Sequence, residues 1–124
     1  MATMTVSTPT AGGPPELSGP VPLEIADSAR ARHRGLLGRT GLPGALLLTP
    51  ASSVHTVRMR FAIDVAYLDR ALRVLSVRTM RPGRIGLPRP RARHVLEAEA
   101  GAMAGWGVRP GALIVVHGGA QGAG

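Results

Sequence analysis

The sequence predicts a mainly β fold, a small barrel or sandwich of about seven short strands with one short helix covering an opening. Three observations predict it. Short apolar runs recur between Gly- and Pro-rich breaks, with 17 Gly and 11 Pro in 124 residues. Only one stretch carries helix punctuation at both ends. No strand–helix–strand alternation or internal repeat is visible, so a doubly wound sheet is not expected.

The elements read in chain order as follows. Residues 21–26 form an opening strand, with Pro22 suited to a strand start or an edge. Asp27 and Ser28 supply a helix N-cap, and residues 29–37 follow as the helix, with Leu36 and Leu37 as its buried end and Gly38 as its stop. Residues 40–44 are a turn, and 45–48 a short buried strand closed by Pro50. Residues 55–59 and 63–68 read as two strands or one bent strand. In the second, Ile63, Val65 and Tyr67 face one side, and Asp64, Ala66 and Leu68 the other. Residues 69–71 fit a hairpin turn into a strand over 72–80. Residues 81–91 hold Pro82, Pro88, Pro90, Gly83 and Gly86 and form a long loop. Residues 92–98 are a strand and 101–107 one helical turn at most, with Trp106 packing inward. Residues 112–116 are the final buried strand.

Size and composition bound the rest. A chain of 124 residues forms one domain at most, placed at 21–116. Residues 1–20 are rich in Ser, Thr, Pro and Gly without an apolar period, and 117–124 are nearly all Gly and Ala. Both are expected to be disordered tails. With one Phe, one Tyr and one Trp, aliphatic residues must fill the core. The absence of Cys excludes disulfides, thiolate metal sites and cysteine nucleophiles. No signal peptide opens the chain and no stretch approaches about 20 apolar residues, so a cytoplasmic monomer without a membrane partner is expected.

The formal net charge of +8 favours an acidic partner. Between Arg70 and Arg93 the chain has Arg70, Arg73, Arg78, Arg81, Arg84, Arg89, Arg91 and Arg93 but no acid. The chain has no Lys, so an Arg-rich composition explains part of this. The run also lacks the interleaved aromatics common in nucleic-acid binders, which makes nonspecific nucleic-acid binding the weaker reading.

Residues 54–69 stand out. They hold the only Phe and only Tyr, and place His55, Arg58, Arg60 and Asp64 in an otherwise mostly apolar run. This stretch, with Arg32-His33-Arg34-Gly35-Leu36-Leu37-Gly38-Arg39, Leu42-Pro43-Gly44-Ala45-Leu46, Val95-Leu96-Glu97-Ala98-Glu99-Ala100-Gly101 and Gly107-Val108-Arg109-Pro110-Gly111, resembles the bacterial family catalogued as domain of unknown function 192. The resemblance covers residues 23–116 and implies a compact, mostly β domain. It implies little about activity, because that family is uncharacterised. Arg58 stands where the family has an aromatic or Gly, Ala62 where it has Pro, and Ala112 where it has Asp. The turn after Asp69 lacks its Gly.

In the family pattern His55 sits with Arg60 and Asp64. A His oriented by a carboxylate is a competent base, and a nearby Arg holds an anion. Arg34 and Arg39 flank the end of the helix, where cations are also favoured by its dipole. The expected site is therefore a pocket near His55, Arg60 and Asp64, with Arg34 and Arg39 alongside, binding a small anionic ligand or an acidic partner protein. The rival is an enzyme acting on an anionic substrate with His55 as general base. No metal or other cofactor is expected. His55 and Met59 would lie about 13 Å apart on a strand at ~3.3 Å per residue, and His33, His94 and His117 are in separate segments.

Overall fold

A computed structural model describes residues 2–118. Seven strands form one curled sheet, a half-barrel. They are β1 (Ala2–Thr8), β2 (Glu16–Ala26), β3 (Ala45–Leu48), β4 (Ile63–Leu68), β5 (Val74–Met80), β6 (His94–Glu99) and β7 (Leu113–Gly118). Two short helices accompany them, α1 (Ala29–Arg34) and α2 (Ala102–Trp106). The spatial order is β5-β4-β6-β3-β2-β1-β7. The two edge strands approach each other through the Arg73–Leu113 bridge and the Val74 N–H to Ala112 C=O bond of 2.8 Å.

The mainly β expectation holds, and the strand set differs from the expected one in two places. Residues 1–20 are not a free tail from Ala2 onward. They supply β1 and the first part of β2, which form an antiparallel hairpin, and β1 also pairs with β7. The apolar period of β1 is short and weak, Ala2, Met4 and Val6 among Thr and Ser, but those three side chains are fully buried. At the other end His117 and Gly118 belong to β7, and the tail expected over 119–124 lies outside the described residues. Conversely, residues 55–59 form no strand. Only His55 bridges, to Ile85, and the chain then turns through Thr56–Met59 (Met59 N–H to Thr56 C=O, 3.0 Å) with Arg58 at φ +67°. The other non-glycine residue in this left-handed region is Leu72, at φ +70°. Arg58 is one of the departures from the family pattern, and Leu72 lies in the turn after Asp69 that lacks its Gly; both adopt a conformation that Gly takes without steric cost.

One parallel pair also departs from expectation. β2 and β3 run parallel, Leu23 beside Ala45 through Ala26 beside Leu48, with α1 in the connection. Ser28 caps α1 as expected, its hydroxyl accepting the Ala31 N–H at 3.1 Å. The helix stops at Gly35, three residues short of Gly38, because Gly35 takes φ +46° and leaves the helix.

Two apolar clusters result, one on each face of the sheet. The inner one gathers Met4, Val6, Leu23, Leu47, Leu68, Leu96 and Ile114, with Met103 of α2 inserted among them. The outer one gathers Leu36, Leu46, Leu48, Val54, Met59, Ile63, Val65 and Tyr67, covered by α1 and the loops. Alternation along β4 thus sorts Ile63, Val65 and Tyr67 outward and Ala66 and Leu68 inward. The place of β1 in the inner cluster has a measurable consequence. Met4→Ala is expected to lower the unfolding free energy by about 2–5 kcal/mol in a urea titration; a residue in a free tail would show no change.

Candidate functional site

β6 lies in the middle of the sheet, between β4 and β3. Its alternation sends Leu96 and Ala98 to the inner cluster and Val95 to the outer one, so Glu97 also points outward. Register places Glu97 beside Leu46 of β3 and Val65 of β4, both buried in the outer cluster. Glu97 is 3% exposed. No ion pair reaches its carboxyl among the described residues, and its oxygens open onto a cavity, whereas the one sealed polar atom without a partner among those residues is Arg89 Nε. Burial among apolar neighbours pushes its pKa up to about 7, from an ordinary value of 4.5.

Glu97 forms the floor of a cavity of about 70 Å³ on the outer face. Leu36, Leu48, Val54 and Met59 line its walls, and Arg32, His33, Arg34, Ser53 and His55 its mouth. That volume accommodates a few water molecules or a few heavy atoms of a ligand. Gly35 roofs the carboxyl: a Cβ there would lie 3.9 Å from Glu97 Oε1. The mouth owes its charge to the last turn of α1, which carries Arg32, His33 and Arg34. Glu97 is the only acid lining the cavity.

The structure separates most of the residues singled out in the sequence. Arg34 and His55 meet at this cavity, both exposed. Asp64 does not join them. It lies on the inner face, opposite to the cavity side of the sheet, so no His55–Asp64 dyad exists. Its buried carboxylate accepts hydrogen bonds from Thr79 Oγ1 at 2.7 Å, Gly101 N at 2.8 Å and Met103 N at 3.2 Å, which ties the start of α2 to β4 and β5. Arg39 turns away to Glu24, donating two hydrogen bonds of 2.9 and 2.7 Å, and that contact lowers the Glu24 pKa. The pair is largely in solvent, where such bridges contribute little. Arg60 is exposed and does not line the cavity. His33, set aside in the sequence as remote, shares the cavity with His55. Even so, no group of three His, Asp or Glu among the described residues could hold a metal ion. The residue that the sequence reading passed over is Glu97. Nothing local marked it, since Glu99 follows two residues later in the same strand and is exposed.

The fold is that of a small half-barrel protein with a mainly apolar cavity, polar at its mouth, on the outer face of its sheet. The chain belongs to the family described as uncharacterized ACR, domain of unknown function 192, whose model matches residues 15–116. It is 34% identical over 84 residues to a UPF0127 protein of Pyrococcus horikoshii, covering 64% of this chain and 73% of that one. It is 34% identical over 98 residues to a UPF0127 protein of Thermococcus gammatolerans, covering 74% and 64%. These relatives are archaeal, so the family is broader than the bacterial one expected from the motifs. Among solved structures, a Novosphingobium aromaticivorans protein of unknown function superimposes with a TM-score of 0.72 at 19% identity, over 91% of this chain and 83% of that chain. A Sinorhizobium meliloti protein, provisionally described as a transcription regulator, gives 0.66 at 17% identity, over 94% of each chain. At these identities the likeness concerns the fold alone.

The unpaired carboxyl makes stability depend on pH in a definite direction. An acid whose pKa is raised by folding favours the folded state only while protonated. Its contribution is complete below about pH 4.5 and is lost as pH rises toward about 7. The size is up to about 3 kcal/mol. Glu97→Gln is expected to remove this loss and to be more stable than wild type at pH 8, with little difference at pH 4. Urea titrations of both proteins at the two pH values check it.

Proposed function

We propose that the chain is a binding module for a small ligand carrying an anionic group, held in the cavity above Glu97. The observation that supports this reading is the uncompensated Glu97 carboxyl beneath a mouth carrying Arg32, Arg34 and His55. An unpaired carboxyl in an apolar setting is costly to the fold, and proteins retain such groups where they serve binding or chemistry. Arg34 and His55 receive the anionic group at the mouth, where a guanidinium offers a bidentate contact. A polar group of the ligand reaches Glu97, which donates a hydrogen bond when protonated and accepts one when ionised. This pocket keeps Arg34 and His55 from the sequence reading. It replaces Asp64 with Glu97 and leaves Arg39 and Arg60 outside.

The position of the Glu97 carboxyl inside a cavity, where burial raises its pKa, favours an enzymatic reading second, because such a carboxyl is suited to proton transfer. In that reading Glu97, not His55, is the acid–base group acting on an anionic substrate.

Calorimetric titration with inorganic phosphate, acetate, lactate and glycine tests the binding reading. At least one is expected to bind wild type. Arg34→Ala is expected to weaken that binding about tenfold or more, the loss of one charge-assisted contact. Arg39→Ala, engaged with Glu24, is expected to leave it unchanged. No binding by any of the four, or binding that survives Arg34→Ala, contradicts the reading.

A further inference from the structure

Two loops beside the cavity are bonded into one ridge. Thr56 is their hub, fully buried at 0% exposure. Its hydroxyl donates to Arg81 C=O at 2.6 Å and accepts from Arg84 N–H at 2.8 Å. Its own N–H donates to Arg84 C=O at 2.7 Å, and its C=O accepts from Gly83 N–H at 2.7 Å. Gly86 N–H to Val54 C=O at 2.7 Å and Arg89 N–H to Ser52 C=O at 3.0 Å extend the seam. Gly86 permits this approach, since a Cβ there would meet the Tyr67 hydroxyl at 2.6 Å.

The ridge holds aliphatic side chains out into solvent. Ile85 and Leu87 are each 76% exposed, with Ile85 bridged to His55. Ile85 and Leu87, two residues apart on one well-bonded segment, make a small apolar patch on the surface. The exposed charges on these two loops have one sign. Arg58, Arg81, Arg84 and Arg91 are exposed, and neither residues 49–63 nor 70–93 contain an Asp or Glu.

We propose that this ridge docks on the surface of an anionic lipid membrane, with Ile85 and Leu87 entering the headgroup boundary and the flanking arginines meeting lipid phosphates. Charge complementarity selects an anionic partner. Two features then select lipid over macromolecule. A protein partner would need an acidic surface with sockets matched to two separated tips, whereas a lipid surface conforms to them. A nucleic acid would find little to stack on, since residues 49–63 and 81–93 offer only the exposed His55 and the half-buried Phe61. The contact is peripheral: no helix of the described residues is long and apolar enough to cross a membrane. The proposal is independent of the cavity reading, since it concerns side chains outside that cavity.

Co-sedimentation of the full chain with vesicles tests it. Vesicles of phosphatidylcholine mixed with phosphatidylglycerol are expected to bind the protein about tenfold or more tightly than phosphatidylcholine alone, less so at high salt. The double variant I85S/L87S is expected to lose about tenfold in that affinity with its melting temperature unchanged, since both side chains are already in water. Arg81→Gln and Arg84→Gln are expected to lose about fivefold each. Absence of binding to the anionic vesicles overturns the proposal, as does binding that I85S/L87S leaves intact. Retention of duplex DNA without vesicle binding assigns the ridge to nucleic acid and likewise overturns it.

Discussion

Strands β3, β4 and β6 have almost no face left for water, and most of the architecture is a response to that constraint. All four residues of β3 and all six of β4 are buried, and Val95 to Ala98 of β6 as well. Each face therefore needs a cover, in a chain with only three aromatic side chains. The curl of the sheet and α2 cover the inner face; α1 and the long loops cover the outer one. Burial at ~25 cal/mol per Å² of apolar surface drives both closures. The outer cover is the looser of the two, since it is built from a six-residue helix and irregular chain. It is there that the cavity over Glu97 remains.

Two buried acids on adjacent strands show how environment divides roles. Asp64 pairs in register with Ala98, and Glu97 with Val65, one residue along. The single step in register sends the two carboxyls to opposite faces. Asp64 meets three donors and serves as a structural tie between α2, β4 and β5. Glu97 meets none among the described residues, and its charged form is correspondingly disfavoured. Composition alone would rank them alike; hydrogen bonding separates them.

Much of this was legible in the sequence, and the failures have definite causes. The helix cap at Ser28, the strands over 45–48 and 63–68, the Asp69 turn and the final strand all follow from local rules of capping, period and turn chemistry. β1 was not legible, because Met4 and Val6 alternate with Thr and Ser and reveal a strand only once β2 and β7 flank them. Residues 55–59 read as a strand because Val57 and Met59 alternate with charge, yet the buried Thr56 bonds the segment to residues 81–84 instead. The grouping of His55 with Asp64 failed through parity: whether residues across a loop share a face depends on the turn between them, which has no simple sequence code. Glu97 went unnoticed because its burial is imposed by Leu46 and Val65, both distant in sequence.

The cavity is distinguished by the buried Glu97 carboxyl without an ion-pair partner, and the titration of that carboxyl is the most direct test. The side-chain carboxyl carbon of Glu97 can be followed by nuclear magnetic resonance, assigned by its disappearance in Glu97→Gln. A midpoint raised well above the ordinary glutamate range, to about 7, is the expected result. A midpoint near the ordinary glutamate value of about 4.3 would mean that the carboxyl is solvated or paired, and the cavity would lose the feature that distinguishes it.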